Sequence, residues 1–255
     1  MRHPKWLIPL WSLLCLLAVV SPVRAGGWTV VTLDALPASV NAGEPVRIGF
    51  QVMQHGIHPL VLATDEARVV VRHAASGKRL TFTAQPDEEA GHYTVELILP
   101  QAGSWTWEIQ PGGFPPAPMP GLTVQPGAAV AAETGSSVAT VPTWRQVAVQ
   151  WLSSLLSQPA QGQMNEVAPI MNQGDVGQAL FLAKGCATCH LHAEAPTTLS
   201  VQAGPDLTGY KVIPEYVRVW LKNPGAIKPA TQMPQLHLSD EEIDALIAFL
   251  SSNGK

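Results

Sequence analysis

The sequence has few cysteines and little charge. Only three of its 255 residues are cysteines, and Asp, Glu, Lys and Arg together make up 13% of the chain. Cys15 lies in an apolar N-terminal run, so Cys186 and Cys189 form the one close pair, and a framework of disulfide bonds is excluded. The formal net charge of −4 is mildly acidic and gives no indication of nucleic-acid binding.

The N-terminus has the pattern of a secretory signal peptide, residues 1–25. Arg2 and Lys5 precede an apolar run at residues 6–20, and Val23 and Ala25 occupy the −3 and −1 positions of a cleavage site. We therefore expect export to the periplasm or the outer face of the cytoplasmic membrane, with cleavage after Ala25. The alternative is an uncleaved membrane anchor, because a spanning helix needs only about 20 apolar residues.

The stretch Cys186-Ala187-Thr188-Cys189-His190 has the spacing of a c-type haem attachment site. Each cysteine sulfur adds to one vinyl group of the porphyrin, and the short turn between them brings the next imidazole beneath the iron, so His190 is the predicted proximal ligand. A redox dithiol would need a surrounding βαβ pattern, which is missing. A zinc site would need further ligands at matching spacing, and no third cysteine follows.

The iron also needs a ligand on its other face, and Met233 is the predicted one. It follows a loop at residues 223–232, and Pro234 stiffens the chain directly after it. A stiff loop can hold a weak thioether ligand in place. The other candidates are His237, which is the main rival, together with His192, Met171 and Met164.

Residues from about 28 to 124 have the pattern of short strands. Apolar and polar residues alternate as in half-buried strands, and residues 69–72 and 80–84 flank a turn at 76–78 as in a β-hairpin. About seven strands with frequent turns predict an immunoglobulin-like β-sandwich. The alternating apolar residues are Val46, Ile48, Phe50 and Val52; Tyr93, Val95, Leu97 and Leu99; and Trp105, Trp107 and Ile109.

The rest of the chain divides into a linker and a helical region. Residues 111–120 and 125–142 are rich in Pro, Gly and Ala and resemble linker, and residues 143–157 predict a short amphipathic helix. The expected domains are a sandwich at 26–124, a linker at 125–172 and a helical domain at 173–255. Helices are predicted at 175–184 and 214–221, and Ser239 with Glu242 forms a capping box for a last helix.

The last third of the chain resembles bacterial class I c-type cytochromes, which are monohaem electron-transfer proteins. The resemblance implies that Cys186 and Cys189 carry the thioether bonds of one haem c, that His190 and Met233 are its axial ligands, and that the carbonyl of Pro205 supports the imidazole. It also implies that the first and last helices cross near the haem. The matching segments are residues 185–190, 204–209, 216–221, 232–234 and 238–242.

The first domain is similar to the YtkA-like or FixH-like β-sandwich domains. The similarity rests on residues 43–45, on residues 91–93 leading into the Val95 strand, and on residues 99–105. Domains of this kind occur in exported proteins linked to respiratory oxidases and copper handling, so the resemblance implies only a context.

Together these resemblances imply an exported electron carrier, or the electron-transfer subunit of a respiratory complex. Its partners would be a donor protein and an acceptor such as a terminal oxidase, with no nucleic acid, and an uncleaved N-terminal helix or a partner complex could hold it at a membrane. It is not expected to be an enzyme, because iron bound by His190 and Met233 has no open position.

Two alternatives remain open at this point. The protein would be a haem enzyme or a gas sensor if Met233 does not bind iron. It would be a copper-handling protein with a redox arm if the sandwich binds metal, because soft sulfur and imidazole suit copper. The copper candidates are Met53, His55 and His58 near one strand end, with His73 and His92 elsewhere in the sandwich.

Overall fold

A computed structural model of the chain describes residues 27–37, 39–127, 172–195 and 201–252. The predicted signal peptide, the predicted helix at 143–157, and the candidate ligands Met164 and Met171 lie outside the described residues. Within the described part, no helix combines the length and the hydropathy that crossing a bilayer requires.

The N-terminal domain consists of two facing sheets. The first has the strand order β1-β3-β8-β7, with β4 beside β3, and the second has the order β2-β11-β9-β5-β6, with β10 beside β9. All pairs are antiparallel except β11 with β2. The strands are β1 (Thr29–Leu33), β2 (Val40–Asn41), β3 (Pro45–Gln54), β4 (His58–Pro59), β5 (Ala67–His73), β6 (Arg79–Thr83), β7 (Gln85–Pro86), β8 (His92–Ile98), β9 (Gly103–Pro111), β10 (Ala117–Pro118) and β11 (Leu122–Gln125).

Alternating side chains from both sheets fill one core, as the sequence pattern predicts. Phe50 and Val52 of β3 and Leu97 of β8 are fully buried, while their strand neighbours face outward. The predicted hairpin is confirmed, because β5 and β6 pair antiparallel across the turn. Trp105 and Trp107 also lie in this core, and each indole N–H donates to a backbone carbonyl.

The interpretation of residues 111–120 as linker is wrong. Ala117 and Pro118 form β10 and pair with β9, and Met119 enters the sandwich core at 6% exposure. The composition misleads here because proline is compatible with an edge strand, where its missing N–H needs no partner. This segment therefore belongs to the second sheet.

The C-terminal domain is helical. Pro214 starts α3 with its fixed φ, and Asn223 then ends α3 and caps α4, which extends the predicted closing turn into a second short helix. The predicted capping box is confirmed: Ser239 N donates to Glu242 Oε2 and Glu242 N donates to Ser239 Oγ. The helices are α1 (Gln173–Ala183), α2 (Cys186–Cys189), α3 (Pro214–Lys222), α4 (Pro224–Ile227) and α5 (Asp240–Ser252).

Helices α1 and α5 cross at close range and form the centre of this domain. A side chain at Gly177 would lie 2.0 Å from the carbonyl oxygen of Ala245, so only glycine allows this approach. Phe181 and Phe249 meet with ring centroids 5.7 Å apart. Two ion pairs then join α3 to α5, Arg218 with Asp244 and Lys222 with Asp240. The predicted fold class, a β-sandwich followed by a helical domain, is confirmed.

Candidate haem site

The two cysteines lie on one turn of helix. Gly185 has a left-handed φ of 72°, which lets the chain leave α1 and start α2 after only two residues, Lys184 and Gly185. Cys186 and Cys189 are three positions apart in α2, a spacing that brings side chains to the same helix face. His190 follows in an extended conformation, and its N–H still donates to the carbonyl of Cys186. Two sulfurs and one imidazole therefore leave the chain from a single compact turn.

Both cysteines are free thiols in environments that disfavour ionisation. Burial raises the pKa of Cys186 to about 12, and burial also raises the pKa of Cys189. The sulfurs consequently keep their protons at neutral pH. Thiols of this kind are poor disulfide formers and poor nucleophiles until another group changes their environment.

The imidazole of His190 is held by the loop that follows it. Its Nδ1 lies 2.9 Å from the carbonyl oxygen of Pro205. Because a carbonyl can only accept, Nδ1 donates, and in the neutral ring the lone pair then lies on Nε2. Among the described residues Nε2 has no hydrogen-bond partner, so this nitrogen is available to bind a metal. The contact is the one that the resemblance implies for Pro205.

Backbone contacts fix the same loop against the cysteine turn. The N–H groups of Val201, Gly204 and Leu207 donate to the carbonyls of Thr188, Cys189 and Leu191. Gly204 also packs against the imidazole, and a side chain there would lie 2.3 Å from Cε1 of His190. The orientation of the ring is therefore set by a glycine on one side and a carbonyl on another.

The sulfur of Met233 also has a fixed position. The indole N–H of Trp220, on α3, donates to Met233 Sδ over 3.0 Å. The N–H of Met233 donates to Thr231 Oγ1, which anchors the backbone of its loop. A thioether sulfur has two lone pairs, so this contact leaves one free for a metal. Met233 is partly buried against the helical core.

The rival ligands occupy other places. His192 is 3% exposed and packs against both Phe181 and Phe249, with its ring centroid 4.3 Å from that of Phe249. Burial lowers the pKa of His192, which favours the neutral ring in this apolar contact. His237 is exposed and has a positive φ of 50°. The roles of Cys186, Cys189, His190 and Met233 toward haem remain predictions.

Several large apolar side chains around α3 are exposed, and they could pack against a large apolar cofactor. Tyr216 stacks on Trp220 with ring centroids 6.1 Å apart, next to the sulfur of Met233. Exposed apolar clusters of this kind mark binding surfaces. The residues present therefore fit a haem in donor set and in surface chemistry. The apolar residues of this region that are at least 40% exposed are Tyr210, Ile213, Tyr216, Val219 and Ile227.

The histidines of the sandwich do not form a comparable site. His73 is held by Ser76 and by the carbonyl of Ala102, and His92 lies 3.0 Å from Asp34 Oδ1 and 3.3 Å from Asp87 Oδ2. Across the described ranges, no three His, Cys, Asp or Glu side chains are placed to hold a metal ion together.

Sequence reasoning missed two residues of the site. Trp220 stood in the matching segment 216–221 without a role of its own, and only the fold shows that its N–H reaches the sulfur of Met233 in another loop. Gly204 stood in a matching segment, but its contact with the His190 ring depends on how residues 201–207 return to the cysteine turn. Both contacts join residues that are remote from each other in the sequence.

Comparison with known families agrees with this geometry. Residues 175–254 match the sequence profile of the Cytochrome c family. The C-terminal domain is accordingly a c-type cytochrome domain, the match implies a covalently bound haem c, and it supports a role in haem-based electron transfer. The matched part is about a third of the chain. No curated protein matches the sequence.

Solved structures match the chain weakly. The Lin-41 filamin domain aligns with 18% identity over 39% of this chain and 98% of its own length, at a TM-score of 0.30. The Salmonella alpha-2-macroglobulin reacted with methylamine aligns with 16% identity over 42% of this chain and 7% of its own, at 0.30. The native E. coli alpha-2-macroglobulin aligns with 16% identity over 40% of this chain and 6% of its own length, also at a TM-score of 0.30.

Proposed function

We propose that this protein is an exported monohaem c-type cytochrome that passes single electrons in a respiratory chain, as a carrier or as a subunit associated with an oxidase. The observation that carries the proposal is the joint placement of a Cys-x-x-Cys-His turn and a methionine sulfur in a domain that matches the Cytochrome c family. A haem c held there would supply a reversible one-electron change between Fe(III) and Fe(II).

Each site residue has a defined task in this proposal. Cys186 and Cys189 hold the porphyrin through two thioether bonds. His190 would offer Nε2 on one face, because the carbonyl of Pro205 accepts from Nδ1–H and so selects the neutral tautomer in which Nε2 is the ligating nitrogen. Met233 offers its sulfur on the other face. A haem held by both His190 and Met233 would supply electron transfer and would leave no position for a substrate.

The remaining parts of the proposal concern export and partners. The pattern at residues 1–25 supports delivery to the periplasm or to the outer face of the cytoplasmic membrane. The β-sandwich is proposed to be YtkA-like or FixH-like and to dock or tether the cytochrome domain. The partners are a donor protein and an acceptor such as a terminal oxidase, reached in small and transient encounters.

The proposal is tested by replacing Met233. In the exported, haem-loaded protein, Met233→Ala removes the thioether and opens one face of the iron, so the reduction potential should fall and carbon monoxide should bind the reduced protein faster. The covalent haem should stay attached. Ile98→Ala is the control, because it removes a side chain that is 46% exposed on β8 of the sandwich and should change neither quantity. Equal potentials for wild type and Met233→Ala would refute the ligand assignment.

A further inference from the structure

An outward-facing residue of the sandwich is almost completely buried. Val31 and Leu33 of β1 point into the sandwich core, so Val30 lies on the opposite face of this edge strand. Yet Val30 is only 2% exposed and belongs to neither hydrophobic core. Its Cγ1 lies against Gly185 and its Cγ2 against Gly56. Val30 is therefore buried because it lies in the contact between the two domains.

On one side, this contact reaches the cysteine turn. A side chain at Gly185, the residue before Cys186, would lie 2.6 Å from Val30 Cγ1 and 2.9 Å from the carbonyl oxygen of Val31. The neighbouring Lys184 is 6% exposed and its Nζ donates to the carbonyl of Asp34 over 3.0 Å.

Two further contacts extend the same junction. Ala183 packs into the sandwich core. A groove of about 50 Å³ runs along the junction and is lined by Trp28 from the sandwich and by Ala187 and Thr188, the two residues between the cysteines. The sandwich therefore lies beside α2, the helix that carries both cysteines.

On the other side, the same surface reaches the methionine loop. Gly56, in the turn between β3 and β4, is buried. A side chain on Gly56 would lie 3.4 Å from Val30 Cγ2 and 3.4 Å from Cγ of Pro234, the residue that follows Met233. Val30 thus stands between Gly185 and Gly56, and one continuous patch of the sandwich contacts the segments next to both proposed axial ligands.

We infer that the β-sandwich is a built-in cover over the haem edge of the cytochrome domain. This inference rests on the proposed function. His190 and Met233 would bind opposite faces of one flat ring, so a surface that joins their two segments lies across the edge between those faces. The docking patch, defined as Val30, Val31, Asp34 and Gly56, occupies the approach that a redox partner would otherwise use. Electron exchange through this edge then depends on release of the sandwich.

The test weakens the docking patch in the full-length, haem-loaded protein. Val30→Arg introduces a large cation into an apolar contact beside the cationic Lys184, so docking should weaken at least about tenfold. Edge strands tolerate such residues in an undocked sandwich. The matched control is Ile98→Arg, on β8 of the same sheet, where the side chain is already 46% exposed. Val30→Ala is a milder variant that removes only the two contacting methyl groups.

Two readouts report on docking. The first is acetylation of the Lys184 amine by an N-hydroxysuccinimide ester, followed by mass spectrometry, which needs no redox activity. The second is the rate at which the ferrous protein passes one electron to ferric mammalian cytochrome c, which leaves one ferric and one ferrous haem. Both should rise about tenfold in Val30→Arg and less in Val30→Ala, and neither should change in Ile98→Arg.

Wild-type labelling of Lys184 in Val30→Ala, or in a folded Val30→Arg protein, would overturn the inference. Faster labelling with an unchanged electron-transfer rate would also overturn it, because the sandwich would then dock away from the haem edge. Failure of the proposed function looks different: the chain would lack covalent haem, while the labelling of Lys184 would still report on docking.

Discussion

Lys184 offers a sharp test of how the end of α1 is held against α5 and against the sandwich. Its side chain is 8% exposed, and its Nζ lies 2.8 Å from Glu242 Oε1 and 3.0 Å from the carbonyl oxygen of Asp34. The substitution Lys184→Met keeps the apolar stem but leaves both acceptors without this donor. Breaking a fully buried ion pair costs about 3–5 kcal/mol.

Two features reduce that cost here. The Glu242 side chain is 23% exposed, and its other oxygen still accepts from Ser239 N. We therefore expect Lys184→Met to lower the free energy of unfolding by about 2 kcal/mol, including about 1 kcal/mol for the carbonyl of Asp34. The measurement is urea unfolding of the haem-loaded chain, followed by the haem absorbance.

A second ion pair between a lysine and α5 is the matched control. Lys222 and Asp240 lie 2.7 Å apart, but their side chains are 51% and 63% exposed. Lys222→Met should consequently have little effect on the free energy of unfolding, because solvent screens an exposed ion pair. A double-mutant cycle of Lys184→Met with Glu242→Gln, which preserves the capping box, should give a coupling of at least about 1 kcal/mol. Equal costs for the two lysine variants would refute the reasoning.

Three further predictions concern the helical domain. Cys189→Ala should reduce the yield of mature protein, because one thioether and part of the anchoring of a large apolar cofactor are lost together; normal yield with full haem content would contradict this. Ser239→Ala should destabilise α5 by about 1 kcal/mol in urea unfolding, whereas Ser251→Ala, at an exposed position, should have little effect; equal effects would argue against the cap. In haem-free chain at pH 8, a thiol with a pKa of about 12 has on the order of 10⁻⁴ of its population as thiolate. Iodoacetamide should therefore alkylate Cys186 at least about 100-fold more slowly than free cysteine, and a rate equal to that of free cysteine would contradict the burial of this thiol.

Local patterns predicted much of the fold. The alternation around Phe50 and Leu97, the hairpin of β5 and β6, and the box of Ser239 with Glu242 all depend on residues close in sequence. The spacing of apolar residues and the capping of a helix both involve residues that are close in sequence, so a single sequence is enough to detect them.

Contacts between remote residues could not be predicted in the same way. A lysine at the end of a helix is normally expected to be exposed. Lys184 is buried because it contacts Asp34 and Glu242, which are far away in the chain. In the sequence, Val30 looks like an ordinary strand residue. Its side chain lies on the outward face of β1 and is buried only because the two domains pack together. Within the site, the Cys-x-x-Cys-His spacing was visible in the sequence, whereas the hydrogen bond from Trp220 to Met233 was not.

The central claim is that Cys186 and Cys189 hold one haem covalently beside His190. The most direct test is mass spectrometry of the tryptic peptide 185–211 from protein exported by cells that attach c-type haem. We expect a single coloured peptide that carries one porphyrin on both sulfurs and keeps its pigment through acid–acetone extraction. A colourless peptide with two free thiols would contradict it.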